Sequence, residues 1–71
     1  MNRFNPRKLI LSKWTAAHPQ KREKHFLVTE LEHDENGVLL LVNIEAVHSR
    51  RSQWIDWQAL RDDKQWLPGW R

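Results

Sequence analysis

The chain has no cysteine, no tyrosine and only two glycines among its 71 residues. The absence of cysteine excludes disulfide bonds and thiolate metal ligands, which often stabilise a domain this small. Glycine occurs only at positions 37 and 69, so no glycine-rich loop is present to hold a phosphate group. These absences argue against a thiolate-bound zinc site and against nucleotide hydrolysis.

Long apolar runs are absent as well. The longest one covers residues 38–42, whereas a membrane-spanning helix needs about 20 apolar residues. Near the start of the chain only residues 9–11 form an apolar run before polar residues resume, so a secretory leader is not expected. We therefore expect no membrane partner and a cytoplasmic location, with which a chain free of cysteine is compatible.

The polar residues give little basis for catalysis. Ser12, Ser49 and Ser52 lie in no recognisable nucleophile motif. Glu30 and Glu32 are expected on an open sheet face, with no cleft in which they would act as an acid and base pair. A chain of this length seldom encloses a ligand-sized pocket of about 300 Å³. The sequence predicts a protein that is not an enzyme and that has no cofactor.

Five tryptophans provide much of the apolar surface that is present. Each buried aromatic side chain removes about 150–250 Å² from water. A domain of this length buries only a little more than about 60% of its unfolded surface, so it depends strongly on such large side chains. Most of the tryptophans are therefore expected in the core of one domain that covers residues 1–71.

Charge is segregated along the chain, although the net charge is only +3. Residues 1–25 contain seven Lys and Arg and one Glu, whereas residues 26–48 contain five acidic residues and no Lys or Arg. Residues 49–71 are mixed, with five basic and three acidic residues. The two charged blocks either attract each other within one fold as solvated faces, or the basic block is a binding surface.

The middle of the chain predicts a β-hairpin. Residues 25–33 alternate, Asn36 and Gly37 are typical of a two-residue turn, and residues 38–48 are again rich in β-forming residues. This turn pairs opposite residues as follows: Leu27 with Ala46, Thr29 with Ile44, Leu31 with Val42, and His33 with Leu40. The side chains expected in the core are Leu27, Leu31, Leu40, Val42 and Ile44. A three-residue loop would exchange the two faces of the hairpin.

The same register places His25 opposite His48, and two imidazoles meeting there raise the question of a metal site. A structural zinc site almost always has four ligands. The chain has four histidines and no cysteine, and their spacing does not supply the missing ligands. We therefore expect no bound metal, and histidines that lie at the rim of the sheet.

Shorter elements are predicted on both sides of the hairpin. Residues 8–16 form a first strand that Pro6 and Pro19 bound, residues 17–24 form a polar loop, and residues 51–55 form a fourth strand. Asp56 is expected to cap a helical turn over residues 57–60. A second turn, capped by Asp62 or Asp63, is expected to end at Leu67, before Pro68 and Gly69.

These elements predict a mainly β fold. It is a small antiparallel sheet of about four strands, arranged as an SH3-like partial barrel with short helical turns near the C-terminus. Residues 1–7 are expected to form a flexible basic arm. The alternative is an open sheet of three or four strands with the C-terminal turns packed on it.

Several short motifs resemble a family of short bacterial Trp-rich proteins that is grouped as a domain of unknown function. The motifs span nearly the whole chain and are Asn5-Pro6 with Lys8-Leu9, Ser12-Lys13-Trp14-Thr15-Ala16, Glu23-Lys24-His25-Phe26, Ile55-Asp56-Trp57, and Trp66 with Gly69-Trp70. The resemblance implies a bacterial protein that stands alone. It implies no catalytic residue, because the family has no established activity.

Interleaved cations and aromatic rings are the one pattern that suggests a binding mechanism. Cations follow phosphates, and bases of single-stranded nucleic acid stack on aromatic side chains. The residues expected to bind RNA or single-stranded DNA are Arg7, Lys8, Lys13, Trp14, Lys21, Arg22, Lys24, Arg50, Arg51 and Trp54. The alternative is a module that binds a protein or peptide through exposed Trp or a free strand edge. Self-association of the basic arm and the acidic hairpin is a third alternative.

Overall fold

A computed structural model describes residues 1–71 and contains one five-stranded antiparallel sheet. The strands are β1 (Lys13–Gln20), β2 (Glu23–His33), β3 (Leu39–Ala46), β4 (Ser52–Asp56) and β5 (Trp66–Pro68), and the 3₁₀ helices are Pro6–Lys8 and Trp57–Arg61. The order across the sheet is β4-β3-β2-β1-β5. The prediction of a mainly β antiparallel domain is confirmed, with five strands instead of about four.

The sheet is open, because β4 and β5 each have only one neighbouring strand. This arrangement matches the open-sheet alternative, although with five strands instead of three or four, and the likeness to an SH3-like partial barrel stays a prediction. No helix in the structure is long and apolar enough to cross a membrane.

The turn between β2 and β3 is longer than predicted. The Asp34 amide donates to the Val38 carbonyl at 2.9 Å and the Gly37 amide donates to the Asp34 carbonyl at 3.0 Å, so three residues form the loop. Asp34 Oδ1 also accepts from the amides of Asn36 and Val38. Gly37 adopts a φ of +81°, which glycine tolerates without strain. The two-residue turn was wrong because the Asp34 side chain closes a wider loop.

Two irregularities then reset the register of the β2–β3 pair. The predicted pairing of Leu31 with Val42 is confirmed. The other three predicted pairings are wrong: Leu27 faces Glu45, His33 faces Leu39, and Ile44 faces Val28. The register shifts between Val28 and Glu30 and again between Glu32 and His33. A bulge of this kind adds one residue to one strand and so exchanges the faces beyond it.

The bulges also change which side chains reach the core. Val42 and Ile44 are fully buried, as predicted. Leu31 is only partly buried against the core, and Leu40 is 45% exposed. Leu27 is only partly buried because Phe26 and Val28, its neighbours along β2, take the core positions.

The first strand lies later in the chain than predicted. Leu9 precedes β1 and is nevertheless buried, and β1 continues through Pro19. Proline is tolerated there because β5 pairs only with Trp14, Thr15 and Ala16, and the β1–β2 ladder is irregular beyond Thr15. The expected loop over residues 17–24 is instead a tight hairpin, in which Lys21 and Arg22 have φ values of +54° and +64°. Lys21 and Arg22 do not indicate a turn in the sequence, because tight hairpin turns with positive φ values favour Asn and Gly.

The predicted β4 strand and the capped turn after it are confirmed. Asp56 accepts a hydrogen bond from the Gln58 amide at 2.9 Å. Asp62 likewise accepts from the Lys64 amide at 2.9 Å, and its carbonyl accepts from the Gln65 and Trp66 amides at 3.0 Å, so a second single turn is present. Its predicted end at Leu67 is wrong, because the chain enters β5 at Trp66. Residues 66–68 pair with the edge of β1, with Trp66 opposite Ala16.

The core lies on one face of the sheet. The buried apolar residues are Leu9, Trp14, Phe26, Val28, Val42, Ile44, Ala46, Leu60 and Trp66. Asn2 and Phe4, in the segment over residues 1–7 that was expected as a flexible arm, lie against this core. The Asn2 side chain is buried and donates to the Leu60 carbonyl at 2.9 Å. The Phe4 ring meets Trp14 edge to face at 5.7 Å.

A candidate basic and aromatic surface

The two aromatic residues predicted to bind nucleic acid do not lie with the cations. Trp14 is 2% exposed, and its indole N–H donates to Ser12 Oγ at 2.9 Å. A buried ring cannot stack on a base, so its predicted role is wrong. Trp54 is 45% exposed but lies on the edge strand β4, opposite Asn43, which in turn faces Glu30. Its neighbourhood is therefore part of the acidic region.

The predicted cations divide between the two ends of the molecule. Arg7 lines a cavity with Leu31 and His33 beside the β2–β3 turn, and Lys8 is its exposed neighbour. Lys21 and Arg22 lie at the other end of β2, which has 11 residues with a rise of about 3.3 Å each. The structure therefore does not bring Arg7 and Lys8 together with the other cations.

Two further cations are close to carboxylates. Arg50 lies 3.8 Å from Glu45. The Arg51 guanidinium donates to the buried Glu23 carboxylate, with Nε at 3.0 Å, and Ser49 donates to the same carboxylate. Hydrogen bonds from Arg51 and then from Ser49 lower the pKa of Glu23 from 4.5 to about 2. The bond to Glu23 raises the pKa of Arg51. The Glu23 charge offsets that of Arg51, which makes Arg51 a poor phosphate ligand.

The ion pair predicts a pH-dependent loss of stability. The folded pKa of Glu23 is depressed, so its contribution is complete above the unfolded value near 4.5 and is lost as pH falls toward about 2. We expect Glu23→Gln to lower the urea midpoint at pH 7. The difference from wild type should shrink as pH falls from about 5 to about 2. Urea titrations of both proteins across this range measure it, and a pH-independent difference would contradict the ion-pair account.

The remaining cations lie near the Trp70 ring, which was not among the residues predicted to bind nucleic acid. Arg22, Lys24, His25, Val47 and His48 line a shallow cavity of about 370 Å³. The His25 ring also contacts the Trp70 ring at 5.8 Å between centroids. The term "basic strip" is used below for Lys13, Arg22, Lys24, His25, His48 and Trp70.

Lys13 completes the strip through a cation–π contact. Its Nζ lies 4.8 Å from the centroid of the Trp70 ring. Trp70 is 43% exposed, so part of its ring is open to solvent. Lys21 is exposed in the turn beside Arg22. No carboxylate lines the cavity between Arg22 and His48. The structure thus places an accessible aromatic ring among uncompensated cations.

Backbone contacts hold Trp70 against the sheet. Gly69 turns the chain after β5 with a φ of +78°. Thr15 Oγ1 donates to the Gly69 carbonyl at 2.7 Å and accepts from the Arg71 amide at 3.0 Å. The Trp70 indole N–H donates to the Phe26 carbonyl at 2.9 Å. No spacing in the sequence links Trp70 to Lys13 or His25, because β1–β5 pairing creates their proximity.

Metal-ligating residues are not clustered in the structure: no group of three or more His, Asp or Glu side chains is placed to hold an ion. His25 is not paired with His48, because Phe26 pairs with Ala46 and the next residue after Ala46, Val47, donates its amide to the His25 carbonyl at 2.9 Å. His25 instead shares a 2.9 Å hydrogen bond with the Arg71 carbonyl.

Comparisons with known proteins place the chain in a family. Neither a search of curated proteins nor a search of solved structures found a match. The family model described as "Tryptophan-rich protein (DUF2389)" matches residues 12–71. This range contains all five tryptophans and every residue of the basic strip. The chain belongs to the tryptophan-rich protein family DUF2389.

Proposed function

We propose that this protein is a small, non-enzymatic module that binds single-stranded nucleic acid on its basic strip. The observation that supports this proposal most strongly is the half-exposed Trp70 ring, which contacts Lys13 and His25. Arg22 and Lys24 line a cavity together with His25. Binding by the strip is weak and depends little on sequence. The proposal retains the cytoplasmic location expected from the sequence.

The chemistry of the strip fits the two features that all single strands share. Lysine and arginine neutralise phosphates and release condensed counterions. An aromatic ring stacks on any base and contributes about 1–3 kcal/mol for each base stacked. Trp70 provides the ring, and Lys13, Arg22 and Lys24 provide charges on either side of His25. The strip is short, so few phosphates are contacted and the affinity is low.

Removing three charges near the strip tests the proposal. We expect Lys21→Gln with Arg22→Gln and Lys24→Gln to weaken binding of single-stranded RNA and to reduce the salt slope by about 2, because each contact contributes about 0.7. Fluorescence anisotropy of a labelled oligonucleotide at several salt concentrations measures both. The fold should persist, because glutamine has no greater backbone cost than lysine or arginine at the two positive φ values of the turn.

A matched variant distinguishes binding on the basic strip from a general effect of net charge. Arg3→Gln with Arg7→Gln and Lys8→Gln removes the same charge from exposed residues near the other end of the molecule. We expect this variant to retain most of the affinity and most of the salt slope. Equal losses in the two triple variants would show that binding is not located on the strip.

A protein or peptide module is the second candidate, and the free edge of β4 favours it. This strand pairs only with β3 and carries the exposed Trp54. An added peptide strand would pair there through backbone hydrogen bonds, with little dependence on salt. Self-association of the basic and acidic regions would instead make the sedimentation coefficient depend on protein concentration and salt. A salt-insensitive partner that shifts β4 amides would support the peptide module.

A further inference from the structure

A polar groove lies on the core side of the sheet, next to the core residues Phe26 and Trp66. Its volume is about 250 Å³. Phe26 and Trp66 contribute apolar surface to its lining, and they pack edge to face at 5.0 Å. The other lining residues are Ala16, His18, Gln20, Glu23, Arg51, Gln53 and Gln65. The groove therefore combines aromatic and polar lining residues.

The groove carries two opposite charges that offset each other. Glu23 is 5% exposed and is held by Arg51 and Ser49. Every other polar lining residue is an amide or an imidazole. An anionic ligand would compete with Glu23 for Arg51, and a cationic ligand would compete with Arg51 for Glu23. The lining is thus suited to a neutral ligand.

Several hydrogen-bonding groups of the lining have no partner within the chain. The side chains of Gln20 and Gln53 make no hydrogen bond in the structure, and both residues are exposed at the edge of the groove. Gln65 donates to Asp62 at 2.9 Å through Nε2, which leaves its carbonyl oxygen as an acceptor. Glutamine amides are donors and acceptors at once, as are the edges of nucleobases.

The size of the groove limits the ligand further. Pockets for drug-sized ligands have volumes of about 300–1,000 Å³, and this groove is smaller. The groove is of a suitable size for a single aromatic heterocycle. We propose that the groove is a pocket for one neutral nucleobase, which its glutamine amides bind along the hydrogen-bonding edge above the Phe26 and Trp66 lining.

This inference rests on the proposed nucleic-acid function and adds a base preference to it. The groove and the basic strip share the β1–β2 hairpin, since Arg22 and Lys24 line the strip cavity while Gln20 and Glu23 line the groove. A strand whose phosphates lie on the strip reaches the groove by passing the exposed turn at Lys21. Sequence-independent contacts then position the strand, and the groove reads one base.

Neutral nucleosides and short homopolymers test the two sites separately. Uridine, cytidine and adenosine are titrated into ¹⁵N-labelled protein while the side-chain amide and indole signals are followed. We expect at least one nucleoside to shift the Gln20, Gln53 and Gln65 amides and to leave the Trp70 indole unchanged. Among RNA decamers of the same bases, we expect about a tenfold range of affinity, which is typical of one amide-to-base contact.

A double variant locates the base preference. Gln20→Leu with Gln53→Leu should reduce the tenfold range to about twofold or less while the affinity for the weakest decamer persists. Gln58→Leu, on the second 3₁₀ helix outside the groove, is the control and should retain the full range. If the double variant does not fold, the single Gln53→Ala change takes its place.

The outcomes separate this inference from the proposed function. Decamers that bind and shift Trp70 without any base preference, while nucleosides leave the three amides unchanged, would overturn the pocket alone. A full range of affinity in the double variant would also overturn it. Nucleosides that shift the groove amides, together with decamers that show no salt-dependent binding, would overturn the proposed function and support the pocket.

Discussion

Ile44→Ala is expected to lower the free energy of unfolding by about 2–5 kcal/mol, the range for removing a buried aliphatic side chain. Ile44 is fully buried in β3 and pairs with Val28 of β2 on one side and with Gln53 of β4 on the other. Small domains are stable by only about 5–15 kcal/mol. The substitution therefore removes a large part of the total. Urea denaturation followed by tryptophan fluorescence measures the loss.

Leu40→Ala on the same strand is the matched control. Leu40 is 45% exposed, so its truncation should change the free energy of unfolding by about 0.5 kcal/mol or less, as is usual for surface positions. Wild-type-like denaturation midpoints for both variants would show that the core does not lie on the Val42 and Ile44 face. Equally large losses in both variants would place Leu40 in the core beside Ile44, as the two-residue turn predicted.

Trp14→Ala should cost about 3–5 kcal/mol, because it leaves a large cavity in a small core. Trp14 is 2% exposed and contacts Phe4 edge to face. Trp54→Ala is the control, because Trp54 is 45% exposed on an edge strand. We expect thermal and urea unfolding to show a strongly destabilised or unfolded Trp14→Ala protein and a folded Trp54→Ala protein.

The same variant decides between two roles for Trp14. A stacking residue on the surface would lose nucleic-acid affinity on truncation and keep its stability. A folded Trp14→Ala protein with the wild-type denaturation midpoint would therefore contradict the buried position and support the role predicted from the sequence.

Local signals in the sequence were sufficient for the elements that depend on neighbouring residues. The β2–β3 hairpin was predicted because alternation and the Asn36-Gly37 pair act over a few residues. The cap formed by Asp56 was predicted for the same reason, since the carboxylate binds an amide two residues away. Burial of Val42 and Ile44 followed from the apolar pattern of one strand.

Features that depend on long-range pairing were not predictable. The bulge between Val28 and Glu30 moves the core positions of β2 from Leu27 to Phe26 and Val28, and no residue type marks it. The turn at Lys21 and Arg22 requires a conformation that both residue types disfavour.

The basic strip was predicted only in part. Its cations Lys13, Arg22 and Lys24 were selected from the basic segment of the sequence, but its aromatic ring was not. Trp70 reaches Lys13 and His25 because β5 pairs with β1 and Gly69 then turns the chain. That contact joins residues separated by most of the chain, so composition and spacing do not reveal it.

An NMR titration of the five indole N–H signals with single-stranded RNA tests the central claim most directly. At about 50 mM salt and high micromolar RNA, even a non-specific affinity of about 10⁻⁴–10⁻⁶ M is visible. We predict that the Trp70 signal moves together with the Lys24 and His25 backbone amides. The Trp14 signal, from a buried ring, should stay in place. A titration in which the Trp70 indole and the strip amides do not move would contradict the account.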